Sequence, residues 1–246
     1  MKQRVALVTG ASSGIGEAVV AHLAESDYRI FAAGRDRART RRLCDRYSNV
    51  ATWVGDITSA DSCAELIAAC IAQFGRLDLL VNNAGIYRRA NAEETTDDLW
   101  LETVAINLNA PFFLSRAAMP HLRETKGVIL NIASDWGLSG GARAVAYCAS
   151  KGGLVLMTKA MALDHAREGI RVNAICPGDV ETPMLYAEGA TRGLDPQQAR
   201  READAASPTG RVTTPQEVAA LVAFLASDAA AQITGAAVPI DGGNTA

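Results

Sequence analysis

The sequence predicts an α/β protein in which helices flank a doubly wound parallel sheet, and three observations support this fold class. Short apolar runs alternate with amphipathic helical segments along the 246 residues. A glycine-rich turn joins the first run to the first helical segment. Polar residues follow several runs, at the edge where open α/β sheets bind ligands. No linker, repeat or low-complexity stretch divides the chain, so we expect one domain, 1–246.

Seven apolar runs have the length and β-branched content of buried parallel strands. They cover residues 4–9, 29–33, 50–54, 77–81, 127–133, 170–176 and 236–240. Apolar periodicity predicts helices over 17–25, 37–47, 61–74, 96–104, 111–122, 146–167 and 214–225. We expect an interruption around 107–111, after which Pro111 can open a new helix because proline suits the first helical position.

The composition indicates a soluble globular protein, with 49% hydrophobic residues and a formal net charge of −3. This charge gives no electrostatic basis for binding nucleic acid or an anionic membrane. The five cysteines form no CxxC pair and are odd in number, which favours reduced thiols in a cytoplasmic protein with no metal site. The first residues lack the features of a signal peptide, and no run of 18 uncharged apolar residues indicates a membrane span.

The turn after the first predicted strand reads Gly-Ala-Ser-Ser-Gly-Ile-Gly, from Gly10 to Gly16. Between a strand and a helix, such a turn presents backbone N–H groups and a helix N-terminus to an anion. The spacing is GxxxGxG rather than the GxGxxG dinucleotide fingerprint. From the turn alone, a phosphate site and a purely structural tight turn therefore both stay open.

The end of the second predicted strand, Gly34-Arg35-Asp36, bears on which dinucleotide would bind. A dinucleotide fold places here the residue that meets the adenosine ribose. Gly34 leaves room, and the Arg35 guanidinium suits a 2′-phosphate better than a 2′-hydroxyl. This favours NADP(H) over NAD(H), with a surface role for Arg35 as the alternative. If the strand ends one residue later, the Asp36 carboxylate can face the ribose and favour NAD(H) instead.

Other polar residues follow predicted strands or interrupt a helix. Asp56 lies just past the third strand, where Ser59 is better placed to cap the next helix. Asn82-Asn-Ala-Gly85 after the fourth strand lets the backbone turn sharply or approach a ligand closely. Ser134 follows the fifth strand at the same edge of the sheet. Asn107 lies among apolar residues, where an amide needs a hydrogen-bonding reason that is either structural or functional.

Tyr147 and Lys151 are four residues apart in the longest predicted helix. Residues at i and i+4 share a helix face, so the phenol and the ammonium project into the same space. A positive charge beside a phenol favours the phenolate and lowers its pKa. A tyrosine tuned in this way can donate a proton to a carbonyl or accept one from an alcohol near neutral pH. Taken alone, the pair is more simply explained as a surface tyrosine beside a solvated lysine, since such pairs are frequent on helices.

Residues 183–209 have a weak pattern in which Ala, Arg, Glu and Gly dominate. A long mixed segment after the ligand-binding edge of a sheet is expected to be a lid or a mobile substrate loop. We expect an apolar, aromatic substrate pocket. Its predicted wall residues are Trp136, Leu138, Tyr87, Met184, Leu185 and Tyr186. Arg88, Arg89 and Arg143 lie near the same loops and either bind an anionic substrate group or are surface charges.

Several motifs occur in a fixed order along the chain. They are Thr9-Gly-Ala-Ser-Ser-Gly-Ile-Gly16, Asn82-Asn-Ala-Gly85, Asn107, Ser134, Tyr147-x-x-x-Lys151 and Pro177-Gly178. With them the chain resembles the single-domain short-chain dehydrogenase/reductase family over its whole length, through to Asp241-Gly-Gly. The resemblance implies a Rossmann-like fold with a seven-stranded parallel sheet. It also implies NAD(P)(H)-dependent carbonyl–alcohol interconversion on a small molecule, by a homotetramer.

The resemblance further implies a role for each matching residue. Tyr147 would be the general acid/base, Ser134 would hold the substrate oxygen, and Asn107 would fix a water in a proton relay. Lys151 would grip the nicotinamide ribose and, like Tyr147, contact the cofactor. The other implied cofactor contacts are Gly10, Ser12, Ser13, Gly14, Ile15, Gly16, Arg35, Asp56, Ile57, Asn83, Ala84, Gly85, Pro177, Gly178, Val180 and Thr182.

These roles are chemically coherent. Hydride transfer belongs to the nicotinamide, while Ser134 and Tyr147 offer donors to the negative charge that develops on a carbonyl oxygen. A nucleotide-binding scaffold without turnover is the alternative, but it would need only the glycine turn. The chain departs from many family members at Ala133, where they have a second serine, and at Ser13, where some NADP users have a basic residue. The NADP(H) prediction therefore depends mainly on Arg35.

Overall fold

The structure, a computed structural model, describes residues 3–246 and is built around a sheet. Its strands are β1 (Arg4–Thr9), β2 (Tyr28–Gly34), β3 (Val50–Val54), β4 (Leu79–Asn82), β5 (Val128–Ile132), β6 (Arg171–Pro177) and β7 (Ala237–Ile240). All neighbouring strands are parallel, in the order β3-β2-β1-β4-β5-β6-β7. The predicted seven-stranded, doubly wound parallel sheet is confirmed.

Helices cover both faces of this sheet. They are α1 (Gly14–Ala24), α2 (Arg37–Arg46), α3 (Ala60–Phe74), α4 (Asp97–Val104), α5 (Ala110–Thr125), α6 (Val145–His165), α7 (Pro183–Thr191), α8 (Pro196–Ala206) and α9 (Pro215–Ala226). On one face, Leu23 of α1 and Val222 of α9 belong to a buried apolar cluster with the sheet. On the other face of the sheet, Leu66 of α3 and Leu114 of α5 belong to a second buried apolar cluster. Because both faces are buried, the strands are continuously apolar rather than alternating.

The order of strand addition reverses between β1 and β4, which are neighbours in the sheet. In open parallel sheets, ligands bind in the crevice at this reversal, outside the carboxyl ends of the strands. The glycine turn follows β1, residues 83–85 follow β4, and Ser134 lies just beyond β5. The topology therefore brings these three sequence-predicted segments to one edge of the sheet.

The α-helix is interrupted around Asn107 as predicted, but by a change in helix type rather than by a break in the helical region. A π-helical turn, Ala105–Asn109, joins α4 to α5. Such turns occur mostly as single insertions within α-helices, frequently at functional sites. Asn107 is fully buried in this turn, and Pro111 lies in the first turn of α5 as predicted.

Residues 183–209 are mostly helical, so the expectation of a loop there is wrong, while a role as a lid stays a prediction. Asp195 and Gln198 form a capping box at the start of α8, and Pro196 occupies its first turn. The two helices pack closely, because a Cβ on Gly189 of α7 would lie 2.5 Å from the Cβ of Ala199. Alanine and glycine build this contact, which is why apolar periodicity gave so weak a signal.

The prediction that the first residues lack a signal peptide includes residues 1 and 2, which lie outside the described residues. Over residues 3–246, no helix combines the length and the apolar character needed to span a membrane. All five cysteines have free thiols. Within the same range, no group of three or more His, Cys, Asp or Glu side chains is arranged to hold a metal ion.

Candidate active site

The glycine turn after β1 forms a backbone cradle at the N-terminus of α1. Gly10 has φ +61° and Gly14 has φ +55°, angles that other residues rarely adopt. A Cβ on Gly10 would lie 2.9 Å from the Ala84 Cα, so the turn is pressed against the segment after β4. Asn83 holds this contact, because its Nδ2 donates to the carbonyl oxygens of Thr9 (2.9 Å) and Gly10 (3.1 Å). A helix N-terminus that follows a glycine-rich turn suits a phosphate.

A cavity of about 840 Å³ extends from this cradle to Tyr147, and all of the predicted cofactor residues except Gly16 line it. Gly16 lies behind the cavity wall, where a Cβ would be 2.2 Å from the Gly10 carbonyl oxygen. Its lack of a side chain lets α1 pack against the turn. Thr182 approaches the cradle from the start of α7, since a Cβ on Gly14 would lie 3.1 Å from its Cγ2.

Gly34, Arg35 and Asp36 line one end of the cavity. β2 ends at Gly34, one residue beyond the predicted end. The Asp36 carboxylate nevertheless caps α2: it accepts from the Arg39 backbone N–H (3.0 Å) and lies 3.4 Å from Arg39 Nε. The backbone hydrogen bond lowers the pKa of Asp36. A Cβ at Gly34 would lie 2.6 Å from Thr40 Oγ1, so a larger residue at this position would have to displace the Thr40 side chain.

Tyr147, Ser134 and Lys151 meet at the opposite end of the cavity. Ser134 lies in extended backbone just after β5, where its Oγ accepts from the Trp136 N–H (3.2 Å). Tyr147 lies in the first turn of α6, with its ring centroid 5.7 Å from Lys151 Nζ. Its ring packs edge-on against Tyr87 and Trp136, with centroids 5.1 and 6.3 Å away. The convergence expected from the sequence is present.

Asn107 and Lys151 both flank the short segment after β4. Asn107 Oδ1 accepts from the Ile86 N–H (2.8 Å), while its Nδ2 donates to the Ile86 carbonyl oxygen (2.9 Å) and to Ser150 Oγ (3.1 Å). A Cβ on Gly85 would lie 3.3 Å from Asn107 Oδ1 and 3.5 Å from Lys151 Nζ. Asn107 therefore ties this segment to α6 from behind the cavity wall.

Burial controls the pKa of both Tyr147 and Lys151. It raises the pKa of Tyr147 well above its ordinary value; contact with Ser134 acts the other way, and the charge of Asp135 adds to the rise. Burial also lowers the pKa of Lys151 to about 8, while Nζ donates to the Ile132 carbonyl oxygen (2.7 Å). The expected net lowering of the Tyr147 pKa is wrong, because desolvation of the phenol is the dominant effect. Tyr147 is protonated at neutral pH.

Three charged residues that line the substrate end of the cavity were not predicted from the sequence: Asp135, Glu188 and Arg192. Asp135, which directly follows Ser134, is only 5% exposed and lines the cavity. Arg89 pairs with Glu188 of α7 (3.2 Å), which also pairs with Arg192 (3.0 Å). The position of Asp135 after a strand was a usable signal. No signal in the sequence marks the pairing of Arg89 with Glu188, since 99 residues separate the two.

The predicted pocket wall is partly confirmed, since Trp136, Tyr87, Met184 and Leu185 line the cavity. Leu138 and Tyr186 do not, so those two assignments are wrong. Leu138 is 41% exposed at the surface. The Tyr186 hydroxyl turns away to donate to Glu181 Oε1 (3.1 Å).

The three candidate arginines lie in different environments. Arg89 lines the cavity. Arg88 is exposed and donates to the Tyr87 carbonyl oxygen (3.1 Å). Arg143 forms an ion pair with Glu94 and does not line the cavity. Arg89 alone of the three is therefore placed to meet a substrate.

A parallel sheet with a glycine cradle at its reversal point, and a Tyr-Ser-Lys group across the same cavity, defines a nicotinamide-dependent oxidoreductase. A family model described as enoyl-(acyl carrier protein) reductase matches residues 10–245. L-fucose dehydrogenase of Mus musculus is 40% identical over 92% of this chain and 83% of its own length. The chain belongs to the short-chain dehydrogenase/reductase family, which confirms the predicted reaction class, interconversion of an alcohol and a ketone.

Solved structures agree with this assignment. A variant of actinorhodin polyketide ketoreductase with NADPH superposes with a TM-score of 0.94, at 36% identity over 99% of this chain and 97% of that one. A 3-ketoacyl-(acyl-carrier-protein) reductase from Brucella melitensis with NADH has a TM-score of 0.91, at 32% identity over 100% and 99% of the two chains. The family relationship thus leaves the choice between the two cofactors open.

Proposed function

We propose that the chain interconverts a secondary alcohol and a ketone of a small molecule, with Tyr147 as the group that passes the proton at oxygen. The observation that carries this proposal is the meeting of Tyr147, Ser134 and Lys151 across one cavity from the glycine cradle. A nucleotide-binding scaffold without turnover would need the cradle but not the other three side chains. The two ends of the cavity together therefore favour an active enzyme.

The residues present fit a nicotinamide dinucleotide. Gly10 and Gly14 leave the backbone of the cradle bare, and the missing Cβ of Gly85 leaves Lys151 Nζ open to the cavity. When bound, the cofactor supplies or accepts the hydride. The residues that would hold it are Gly10, Ser12, Ser13, Gly14 and Ile15 at the diphosphate, Arg35, Asp56 and Ile57 at the adenosine, and Asn83, Ala84, Gly85, Lys151, Pro177, Gly178, Val180 and Thr182 toward the nicotinamide.

The proton chemistry follows from the burial of the catalytic groups. Tyr147 stays protonated at neutral pH, so it can donate to a carbonyl oxygen, and its phenolate can accept a proton from an alcohol. Ser134 holds the same substrate oxygen beside it. Lys151, when protonated, favours the phenolate and contacts the nicotinamide ribose. Asn107 fixes the segment that Lys151 flanks. We further propose for it the role that the family resemblance implies, holding a water in the proton relay.

We propose NADP(H) rather than NAD(H) as the cofactor. Two guanidinium groups, from Arg35 and Arg39, line the end of the cavity that would hold the adenosine ribose. The Asp36 carboxylate is engaged in capping α2, which leaves it less able to accept from a ribose hydroxyl. A planar, permanently charged guanidinium suits a phosphate better than a hydroxyl. The balance of charge at this end therefore supports binding of a 2′-phosphate.

Arg35→Ala is expected to reduce the preference for NADPH over NADH by roughly 10- to 150-fold, the range for one charge-assisted hydrogen bond. The measurement is kcat/KM with each cofactor. Arg41→Ala is the matched control, since Arg41 is an exposed arginine of the nearby helix α2 that does not line the cavity. If the parent prefers NADH, or if Arg35→Ala keeps the NADPH preference, the assignment is wrong and Asp36 becomes the discriminating residue.

The substrate class is best found by a screen with both cofactors. Keto acids, β-ketoacyl thioesters, sugars and cyclic ketones, with the matching alcohols, are followed by the absorbance of the reduced cofactor. We expect turnover of at least one pair. Cofactor binding without turnover across the whole panel would instead favour the scaffold.

We also propose that the chain forms a homotetramer in the cytoplasm. The outer face of α6 exposes large apolar side chains: Leu156 is 67% exposed and Leu163 is 82% exposed. These positions are seven residues apart and share a helix face. Apolar side chains this exposed on one helix face indicate an interface between copies of the chain.

Placing arginine at both positions, Leu156→Arg with Leu163→Arg, is expected to lower the particle mass, because two desolvated charges would face their copies across a two-fold axis. Light scattering at micromolar concentration measures the mass of parent and variant. A parent that is monomeric would end the proposal of a tetramer. An unchanged mass in the variant would place the interface elsewhere.

A further inference from the structure

Asp179 is the one carboxylate of the cavity wall that has no hydrogen-bond or ion-pair partner among the described residues. Each of the others accepts from a backbone N–H, a side-chain amide or a guanidinium. They are Asp36, Asp56, Asp135, Glu188, Glu202 and Asp241. An ionised carboxylate has about four lone-pair positions that can accept hydrogen bonds. Those of Asp179 are therefore free for a ligand in the cavity.

The backbone around Asp179 is held in place by two other segments of the chain. The Gly178 N–H donates to the Ile240 carbonyl oxygen (3.3 Å), and the Asp179 carbonyl oxygen accepts from the Thr213 N–H (2.9 Å). A Cβ on Gly178 would lie 3.0 Å from the Asp241 Cα, so the two segments are in close contact. Asp179 itself is exposed and lines the cavity. Its carboxylate is thus presented to the cavity from a fixed backbone.

Asp179 lies between the catalytic residues and the end of α7. It follows β6, which pairs with β5, and Ser134 lies just beyond β5. Although Asp179 is accessible from the cavity, the surrounding protein restricts its hydration, and this burial raises its pKa. The charges of Asp135 and Glu188 add to the rise, and Arg192 opposes it. The part of a substrate that extends from the reacting carbon toward α7 would therefore pass this carboxylate.

The charged groups at this end of the cavity select among substrate substituents. Four carboxylates and two guanidinium groups line it, so an anionic substituent would be repelled. They are Asp135, Asp179, Glu188 and Glu202, with Arg89 and Arg192. The carboxylates only accept hydrogen bonds and the guanidinium groups only donate them. A hydroxyl does both, so it suits these surroundings better than an ammonium, which only donates.

We propose that Asp179 accepts a hydrogen bond from a substrate hydroxyl other than the reacting one, so that the enzyme prefers a polyhydroxylated substrate to a plain or an anionic one. This hydrogen bond is charge-assisted and corresponds to roughly 10- to 150-fold in affinity. A plain ketone that fills the cavity leaves Asp179 without a partner. The inference rests on the proposed function, which places the reacting oxygen at Tyr147 and Ser134.

A set of four-carbon ketones tests the preference. Racemic erythrulose has a hydroxyl on every carbon except the carbonyl carbon, and 2-butanone has none. The other two probes are 2-oxobutanoate, which carries a carboxylate, and 4-amino-2-butanone, which carries an ammonium. The measurement is kcat/KM for reduction of each ketone, with the cofactor that the parent prefers. We expect the parent to have its highest value with erythrulose and its lowest with 2-oxobutanoate.

In Asp179→Ala, the ratio of kcat/KM for erythrulose to that for 2-butanone should fall by roughly 10- to 150-fold, because the acceptor is lost. Asp179→Asn keeps an acceptor without the charge, so the ratio should fall less. Both variants should gain activity on 2-oxobutanoate relative to 2-butanone, since a repelling charge is removed. Asp27→Ala is the matched control, because Asp27 is exposed and does not line the cavity. It should keep the ratios of the parent.

A parent that reduces erythrulose no better than 2-butanone would overturn the inference, as would an unchanged ratio in Asp179→Ala. Equal losses on all the ketones that follow a lower Tm would also overturn it, because they indicate a purely structural role. So would a parent that prefers 4-amino-2-butanone to erythrulose, since Asp179 would then bind a cation. Near-normal turnover in Tyr147→Phe ends the proposed function. An inactive Tyr147→Phe with unchanged ratios in the Asp179 variants ends this inference alone.

Discussion

Tyr147→Phe should lower turnover by at least about 100-fold in both directions, the usual scale for removal of a general acid/base. The ring stays in place against Tyr87 and Trp136, so packing of the pocket is kept. Only the hydroxyl that gives or takes the proton is lost. The measurement is kcat with the best substrate pair, alongside the Kd of the cofactor, which we expect to stay close to that of the parent.

Tyr87→Phe is the matched control. Tyr87 belongs to the same aromatic cluster and lines the cavity, and its hydroxyl has no hydrogen-bond partner among the described residues. Loss of that hydroxyl should leave turnover within a few-fold of the parent. If Tyr147→Phe keeps near-normal turnover, another group supplies the proton. If the two variants lose activity equally, the aromatic cluster rather than the Tyr147 hydroxyl is what the reaction needs.

Lys151→Met should lose activity and gain stability. Turnover falls by at least about 100-fold, because the variant lacks both the cation beside Tyr147 and the proposed ribose contact. Stability rises because a buried ammonium is replaced by an apolar side chain of similar length. We expect an increase in the free energy of unfolding on the order of 1–3 kcal/mol at pH 7, after the loss of one hydrogen bond to Ile132.

The gain in the free energy of unfolding of Lys151→Met should become smaller as pH rises. The pKa of Lys151 is about 8 in the folded protein, against an ordinary value of 10.5. Between these values the unfolded chain binds the extra proton, so the parent gains stability as pH rises through this window. The advantage of Lys151→Met is therefore largest below pH 8 and shrinks toward pH 10.5.

Denaturant unfolding in the absence of cofactor, at pH values across this range, measures how much more stable Lys151→Met is than the parent. Lys159→Met is the control, since Lys159 is an exposed lysine of the same helix and should change neither activity nor the pH dependence of stability. A destabilised Lys151→Met at pH 7 would show that the hydrogen bond to Ile132 outweighs the burial of charge.

Much of the fold and site could be predicted because the signals are local in sequence. Each strand is a continuous apolar run, and burial on both faces makes such runs easy to recognise. The cradle is a single short turn that contains three glycines, and Tyr147 and Lys151 are one helical turn apart. The parallel topology then brings together segments that each follow a strand.

The remaining features depend on contacts between distant residues or on burial. Asp135 meets Asn244 across 109 residues, and no local pattern marks that pair. The sequence indicates an interruption near Asn107 but not that the interruption is a π-helical turn. The pKa of Tyr147 depends on how many atoms surround the phenol, which a spacing of four residues cannot indicate.

Hydride transfer itself can be followed with a secondary alcohol deuterated at the carbinol carbon. The alcohol from the best substrate pair is oxidised by the parent enzyme, and the recovered cofactor and ketone are analysed by mass spectrometry. We expect one deuterium in the reduced cofactor for each ketone formed, and none of either product with Tyr147→Phe on the same timescale. Deuterium that appears in water instead, or ketone formed without reduced cofactor, would contradict the assignment of this chain as a nicotinamide-dependent alcohol–ketone oxidoreductase.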